Sequence, residues 1–256
     1  MHAAFLGASR GCGLLILERY LKQNDAHTAI LLVRDPDTIS DGRIGGFVNE
    51  GRVEFVKGYA TKVEDVRKIF EKKVDVVITS IGGASTMTIT GAVLDQPLIN
   101  TDATVALLIV LGALDYTPRV IAVSSMGAGK NHSVMPLFMR MLYPLMLGRL
   151  LRDKQSLEYL LFRASTNMPT PKKLPPLLSH DRVNNLRESF LPEVIIVRAA
   201  AFDKEDEPAR SKDNVVAHEK ASVYFVRRSE IARFIVEDCL TGDIWVNKAP
   251  VVGYKD

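Results

Sequence analysis

Apolar runs of strand length recur through the first half of the chain: AAFLG (3–7), HTAILLVR (27–34), VEFVKG (53–58), VDVVITSIGG (74–83) and RVIAVSSMG (119–127). A strand with one face in water alternates apolar and polar residues; most of these runs do not alternate, so both of their faces must be covered. Between them lie segments of helical periodicity, LLILERYLKQN (14–24), KVEDVRKIFEK (62–72) and a stretch over roughly 98–115. Doubly buried strands separated by helices predict an α/β fold, a doubly wound parallel sheet with helices on both faces.

Past residue 128 the texture changes. A Met- and Leu-rich segment runs to about 148, followed by a helix-like LLRDKQSLEYLLFRAS (150–165) and a proline-bearing stretch, TNMPTPKKLPPLLSH (166–180). That stretch is too long for an ordinary connection and reads as a lid or a flexible insertion. Then come a further buried-strand pattern, EVIIVRAAAF (193–202), a charged loop over 203–214, a helix-like SEIARFIVEDCL (229–240) and a final strand-like pair. The expectation is one domain over 1–256. Its cofactor-binding core covers 1–160, and a small C-terminal substrate-side lobe over 161–256 holds the sixth strand, the insertion and the closing elements.

Charge and cysteines narrow the function classes. The formal net charge is +3, from 33 basic and 30 acidic residues spread along the chain, which is not the concentrated basic patch of a nucleic-acid binder. Cys12 and Cys239 belong to no metal-ligand spacing and read as reduced thiols, so neither a metal nor a disulfide is expected, and the setting reads as cytoplasmic. The longest apolar runs fall short of the ~20 residues of a membrane span, so no membrane partner is expected. Monomer and homodimer both remain open.

The loop GASRGCG (7–13) follows the first strand and opens the first helix, the context in which a glycine cluster carries meaning. Glycines there let the backbone approach a pyrophosphate, whose charge meets free N–H groups at the helix N-terminus. Gly7, Ser9, Arg10, Gly11, Cys12 and Gly13 are therefore candidate cofactor contacts. The second strand ends in LLVRDP, where this fold inspects the adenosine ribose. Arg34 offers a forked cation suited to a 2′-phosphate, and Arg10 could add a second. That favours NADP(H), with NAD(H) second because Asp35 follows.

GASRGCG, LLVRDP, VDVVITSIGG, VIAVSSMG, the Lys154/Glu158 pair and EVIIVRAA, in this order, resemble the atypical short-chain dehydrogenases/reductases, including the NmrA-like NAD(P)-binding proteins. The resemblance implies a Rossmann fold, a nicotinamide dinucleotide at the carboxyl edge of the sheet, and often reduction of a small carbonyl, imine or conjugated double bond. It places Thr79, Ser80, Ile81 and Gly82, through Gly83, beside the adenine-side ribose and pyrophosphate, and Ser124 and Ser125 near the nicotinamide.

This chain departs from that pattern. The family's Tyr-x-x-x-Lys aligns with LLRDK (150–154), which keeps Lys154 to hold the nicotinamide ribose but puts Leu150 where the phenol belongs. Leucine donates no proton, and a positioned acid contributes typically ~10²–10⁴-fold. Tyr143, His132 and Ser125 are the substitutes available, although Tyr143 also reads as a core or pocket-wall aromatic and His132 as a loop residue. Lys154 could instead form a surface pair with Glu158. Gly58-Tyr59 stands where the family often has an aspartate, so adenine would be held by stacking or backbone contacts. Arg198-Ala199 replaces the family's Arg-Pro.

The segment VMPLFMRMLYPLMLG (134–148) would line an apolar pocket, or else form a core helix or a subunit interface. Two functions follow: an NADPH-dependent reductase of a small apolar substrate (enone, imine, quinone or carbonyl), or a non-catalytic NADP-binding redox sensor or regulatory scaffold.

Overall fold

The computed structural model describes residues 1–39, 42–82, 85–88, 91–203, 208–210 and 212–255. The first half folds as β1 (His2–Leu6), α1 (Gly11–Gln23), β2 (Thr28–Val33), α2 (Gly42–Asn49), β3 (Val53–Lys57), α3 (Val63–Lys68) and β4 (Val76–Thr79). A hairpin of β5 (Ser85–Thr88) and β6 (Gly91–Leu94) precedes α4 (Ile99–Leu111), β7 (Arg119–Ser125) and the long α5 (Leu137–Ala164). Then follow α6 (His180–Asn184), β8 (Val194–Ala199), β9 (Ala201–Phe202), β10 (Val215–His218), β11 (Phe225–Val226), α7 (Arg228–Arg233) and β12 (Val251–Tyr254). A π-helical segment, Phe234–Cys239, prolongs α7.

Each apolar run of strand length supplies a strand to one sheet, in the order β10-β12-β8-β7-β4-β1-β2-β3, while β9 pairs with β11 and β5 with β6 in two small separate sheets. All neighbours in the large sheet pair in parallel except β10, which runs antiparallel to β12. The chain order reverses at β1, which lies between β2 and β4, and a parallel sheet opens a crevice at the carboxyl side of such a point. Alternate residues of β1 face opposite ways. Ala3 and Phe5 pack with α1 and α7, while Ala4 and Leu6 pack with α3, α4 and the second half of α5, so neither face meets water.

Some boundaries differ from the sequence reading. The Met/Leu-rich segment and LLRDKQSLEYLLFRAS are one helix, α5, which runs through Pro144 and Gly148. Pro144 removes one backbone hydrogen bond without ending the helix. EVIIVRAAAF breaks after Ala199 into β8 and β9, and of the expected closing pair only β12 is a strand. The hairpin β5–β6 and β10 fall in stretches without a long apolar run. The proline-bearing stretch does not lie over the cleft as a lid in this structure, and it is anchored to the core. Met168 and Leu178 are buried in the core beneath α4, Thr166 N donates to the Leu191 carbonyl at 2.9 Å, and residues 166–180 contribute nothing to the cleft described below. Residues 204–207 and 211 of the charged loop lie outside the described residues.

Candidate functional site

The carboxyl ends of β1, β2, β3, β4, β7 and β8 converge on one cleft of ≈ 1190 Å³. A pocket for one small molecule occupies roughly 300–1,000 Å³. This cleft has room for two.

The glycine loop forms its floor. Gly7 has φ +84°, and a Cβ there would stand 2.7 Å from the Ser80 carbonyl oxygen; a Cβ on Gly13 would stand 2.1 Å from the Gly7 oxygen. Both glycines are needed for the loop to lie against β4 and for α1 to start where it does. Gly11, at φ +58°, faces open space, with Arg228 Nε the nearest atom at 3.9 Å. The first turn of α1 has no capping side chain and no acid, so its N–H groups and positive dipole end are directed to the cleft, where an anion is stabilised. Ser9, Arg10, Gly11 and Cys12 line this wall. The cradle fits a dinucleotide diphosphate.

Beyond the end of β2, exposed Arg34 lines the cleft, joined by Arg10 and by Arg43 of α2. Asp35 is not on the wall; its carboxylate accepts the Asp37 amide at 3.3 Å and caps the turn that follows. At the end of β3, Tyr59 is 47% exposed beside the cleft, with Lys62 Nζ 5.0 Å from its ring centre. Gly58 is required because a Cβ would come within 2.6 Å of Asp65 Cβ, and Asp65 accepts the Tyr59 amide at 3.0 Å. The hydrogen bond from Lys68, with that amide, holds the Asp65 carboxyl below its usual range.

The opposite wall is α5. Lys154 is buried, and its Nζ donates to the carbonyls of Ile81 at 3.0 Å and Val123 at 2.9 Å, tying the helix to the ends of β4 and β7. Burial depresses its pKa to about 8. The surface pair with Glu158 does not form. Glu158 instead accepts Ser124 Oγ at 2.7 Å and the Arg198 guanidinium at 3.0 and 2.7 Å. Ser124 is thus on the wall with its proton committed, whereas Ser125 Oγ donates to Met126 O at 3.2 Å in a half-buried position.

Tyr143 and Leu150 line the cleft on the same face of α5 as Lys154, and burial pushes the Tyr143 phenol up to about 12. His132 is not on the wall; its ring meets the Arg140 carbonyl at 3.1 Å. Among the residues after β4, Ser80, Ile81 and Gly82 line the cleft, while Thr79 is buried in the sheet beneath them and Gly83 lies outside the described residues. Burial raises the Cys12 thiol to about 12, so it remains protonated.

Several contributors were missed. Arg43 sits in a glycine-rich stretch without clear periodicity, and Phe202, Phe225 and Arg228 reach the cleft from far downstream of the glycine loop, near the other end of the chain. Arg228 stacks over Phe202 at 4.5 Å. Asp153, buried next to Lys154, accepts the backbone amides of Asn100 and Thr101 at 2.9 and 2.8 Å and their side chains at 2.8 and 2.6 Å. That carboxylate caps α4 and fixes α5 against it.

A family profile described as NAD(P)H-binding matches residues 7–167. No curated protein matches the chain by sequence. Solved structures share its fold. ChuY, an anaerobillin reductase from Escherichia coli O157:H7, superposes with TM-score 0.67 at 16% identity, covering 100% of this chain and 98% of that one. A wide-type short-chain dehydrogenase/reductase from Veillonella parvula, solved in complex with NADP, gives 0.65 at 14% identity over 98% and 94%. A Rossmann-fold NAD(P)-binding family protein from Shigella flexneri gives 0.59 at 12% over 100% and 96%.

Proposed function

Because this chain belongs to the NAD(P)H-binding family, we propose that it is an NADPH-dependent reductase of a small apolar organic molecule, an enone, imine, quinone or carbonyl. The observation that carries this reading is the two-walled cleft: phosphate-seeking groups on the sheet side face an apolar helix bearing one buried amine.

The bound cofactor supplies a hydride. The residues Gly7 to Gly13 receive its diphosphate through the N-terminus of α1. Arg34, supported by Arg10 and Arg43, takes the 2′-phosphate. Lys154 spends two of its N–H groups on carbonyls, which leaves the third for a ribose hydroxyl. Ser80, Ile81 and Gly82 pass beside the cofactor, and Ser124, locked by Glu158, shapes the nicotinamide end. Leu142, Met146, Leu147 and Leu150 give the substrate an apolar wall and exclude water.

Leu150 cannot give the product its proton. Tyr143, seven residues earlier and about 10 Å back along the helix, and Ser125 are the hydroxyls retained for that role; reduction of an alkene or a charged imine would also accept a proton from solvent. Leu150 favours a second reading, a redox sensor that binds NADP without turnover.

Titration with each cofactor tests the first half of the proposal. A charge-assisted hydrogen bond contributes roughly 1.5–3 kcal/mol, so NADPH should bind about tenfold to a hundredfold tighter than NADH, and Arg34→Ala should erase most of that gap. Equal affinities in the unaltered protein contradict the 2′-phosphate assignment. Stereospecifically deuterated NADPH, offered with a panel of apolar enones, imines and quinones, tests the second half. Label transfer to one of them supports the reductase; none across the panel leaves the sensor.

A further inference from the structure

A helix on the surface of a folded protein turns an apolar stripe inward and a polar one to water. The first half of α5 does not. Its inner side supplies Met139, Leu142 and Tyr143 to the cleft, yet its outer side presents Leu137, Met141 and Leu145 at 71%, 70% and 74% exposure, with Phe138 66% exposed at the cleft mouth. Spacing of four residues puts Leu137, Met141 and Leu145 on one line, and exposed Arg149 and Arg152 continue it. The sequence has no acidic residue between Asp115 and Asp153. The hairpin strand β6 packs against α5, and residues 83–94 carry no charged side chain.

We propose that this apolar and cationic face of α5 docks on an anionic lipid surface. Such a helix lies in the interface with its apolar side chains among the upper acyl chains and its basic residues at the headgroups. No helix among the described residues is long and apolar enough to cross a membrane, and docking requires no crossing. Charge decides against a second copy of the chain as the occupant. Two such faces would meet without a carboxylate on either helix face for Arg149 or Arg152, whereas phosphatidylserine supplies that charge. On the reductase reading, docking would also set the mouth of the cleft against the lipid; that consequence rests on the proposed function, and the docking does not.

The test is sedimentation of the full chain with vesicles of phosphatidylcholine alone and of phosphatidylcholine mixed with phosphatidylserine. Binding to the mixed vesicles, weakened by salt and much weaker on phosphatidylcholine, is expected. Each basic residue near such a surface is worth about 1 kcal/mol, so Arg149→Gln with Arg152→Gln should weaken binding about thirtyfold. Leu137→Ser with Met141→Ser and Leu145→Ser should abolish it. Hydrogen exchange on the unaltered chain provides a readout independent of how those variants fold, and vesicle-induced protection should concentrate in residues 137–149. Absence of vesicle binding overturns the proposal, whether the chain is a monomer or a dimer closed over α5. So does vesicle binding whose protection falls elsewhere.

Discussion

Lys154 makes the stability of the protein depend on pH in a direction opposite to that of a lysine whose pKa is raised by an ion pair. Burial lowers its pKa from 10.5 to about 8, so between those values the unfolded chain holds a proton that the folded chain has released. Stability therefore rises with pH across that window, and below about pH 8 the folded state bears the full cost of a buried ammonium. At 1.36 kcal/mol per pKa unit the cost is about 3 kcal/mol.

The perturbation is Lys154→Met, which keeps the unbranched stem, one atom shorter, and removes the charge. The two carbonyls left without a donor lower the variant's stability by an amount that does not vary with pH. Urea denaturation of the cofactor-free proteins at pH 7, 9 and 10.5 separates the two effects. The stability of the unaltered protein relative to the variant should climb by about 3 kcal/mol from pH 7 to 10.5, or roughly 6–12 °C in Tm. Cys239 and the tyrosines titrate in both proteins and cancel in the difference, and Cys12, which interacts with Lys154, is pushed up to about 12 by burial and stays protonated across the range. Parallel curves would show that Lys154 is not held in a dry site, and the role proposed for it at the cofactor ribose would lose its physical basis.

Gly13→Ala should cost about 3 kcal/mol or more, since its methyl group meets a backbone oxygen that cannot rotate away; Gly11→Ala, strained only by its left-handed backbone, should cost about 1–2 kcal/mol. Thermal melts of the pair check the contrast. Asp153→Ala strips four hydrogen bonds from the start of α4 and should destabilise by about 3 kcal/mol, with NADPH affinity falling as Lys154 loses its support. Leu150→Tyr restores a phenol four residues before Lys154. If proton donation limits turnover, the reduction rate of a carbonyl substrate should rise at least about a hundredfold, and an unchanged rate places the limiting step elsewhere.

The sequence by itself determined the sheet and the glycine-loop end of the cleft. Runs such as TAILLV, apolar on both faces and separated by helical segments, point to a covered parallel sheet, and Gly7, Gly13 and Arg34 are legible because all three sit in one βαβ unit, whose strand-loop-helix order local periodicity reveals. Only the tertiary structure decided the other wall. Arg228 reaches Gly11 across nearly the whole chain and carries Phe202 with it to the cleft, Asp153 finds its donors fifty residues upstream, and Glu158 leaves Lys154 for Ser124 and Arg198. Local periodicity constrains which face of an element is buried. It holds no information about which distant group will share that burial, because such pairings are set by how the layers pack and by the need of each buried charge for a partner.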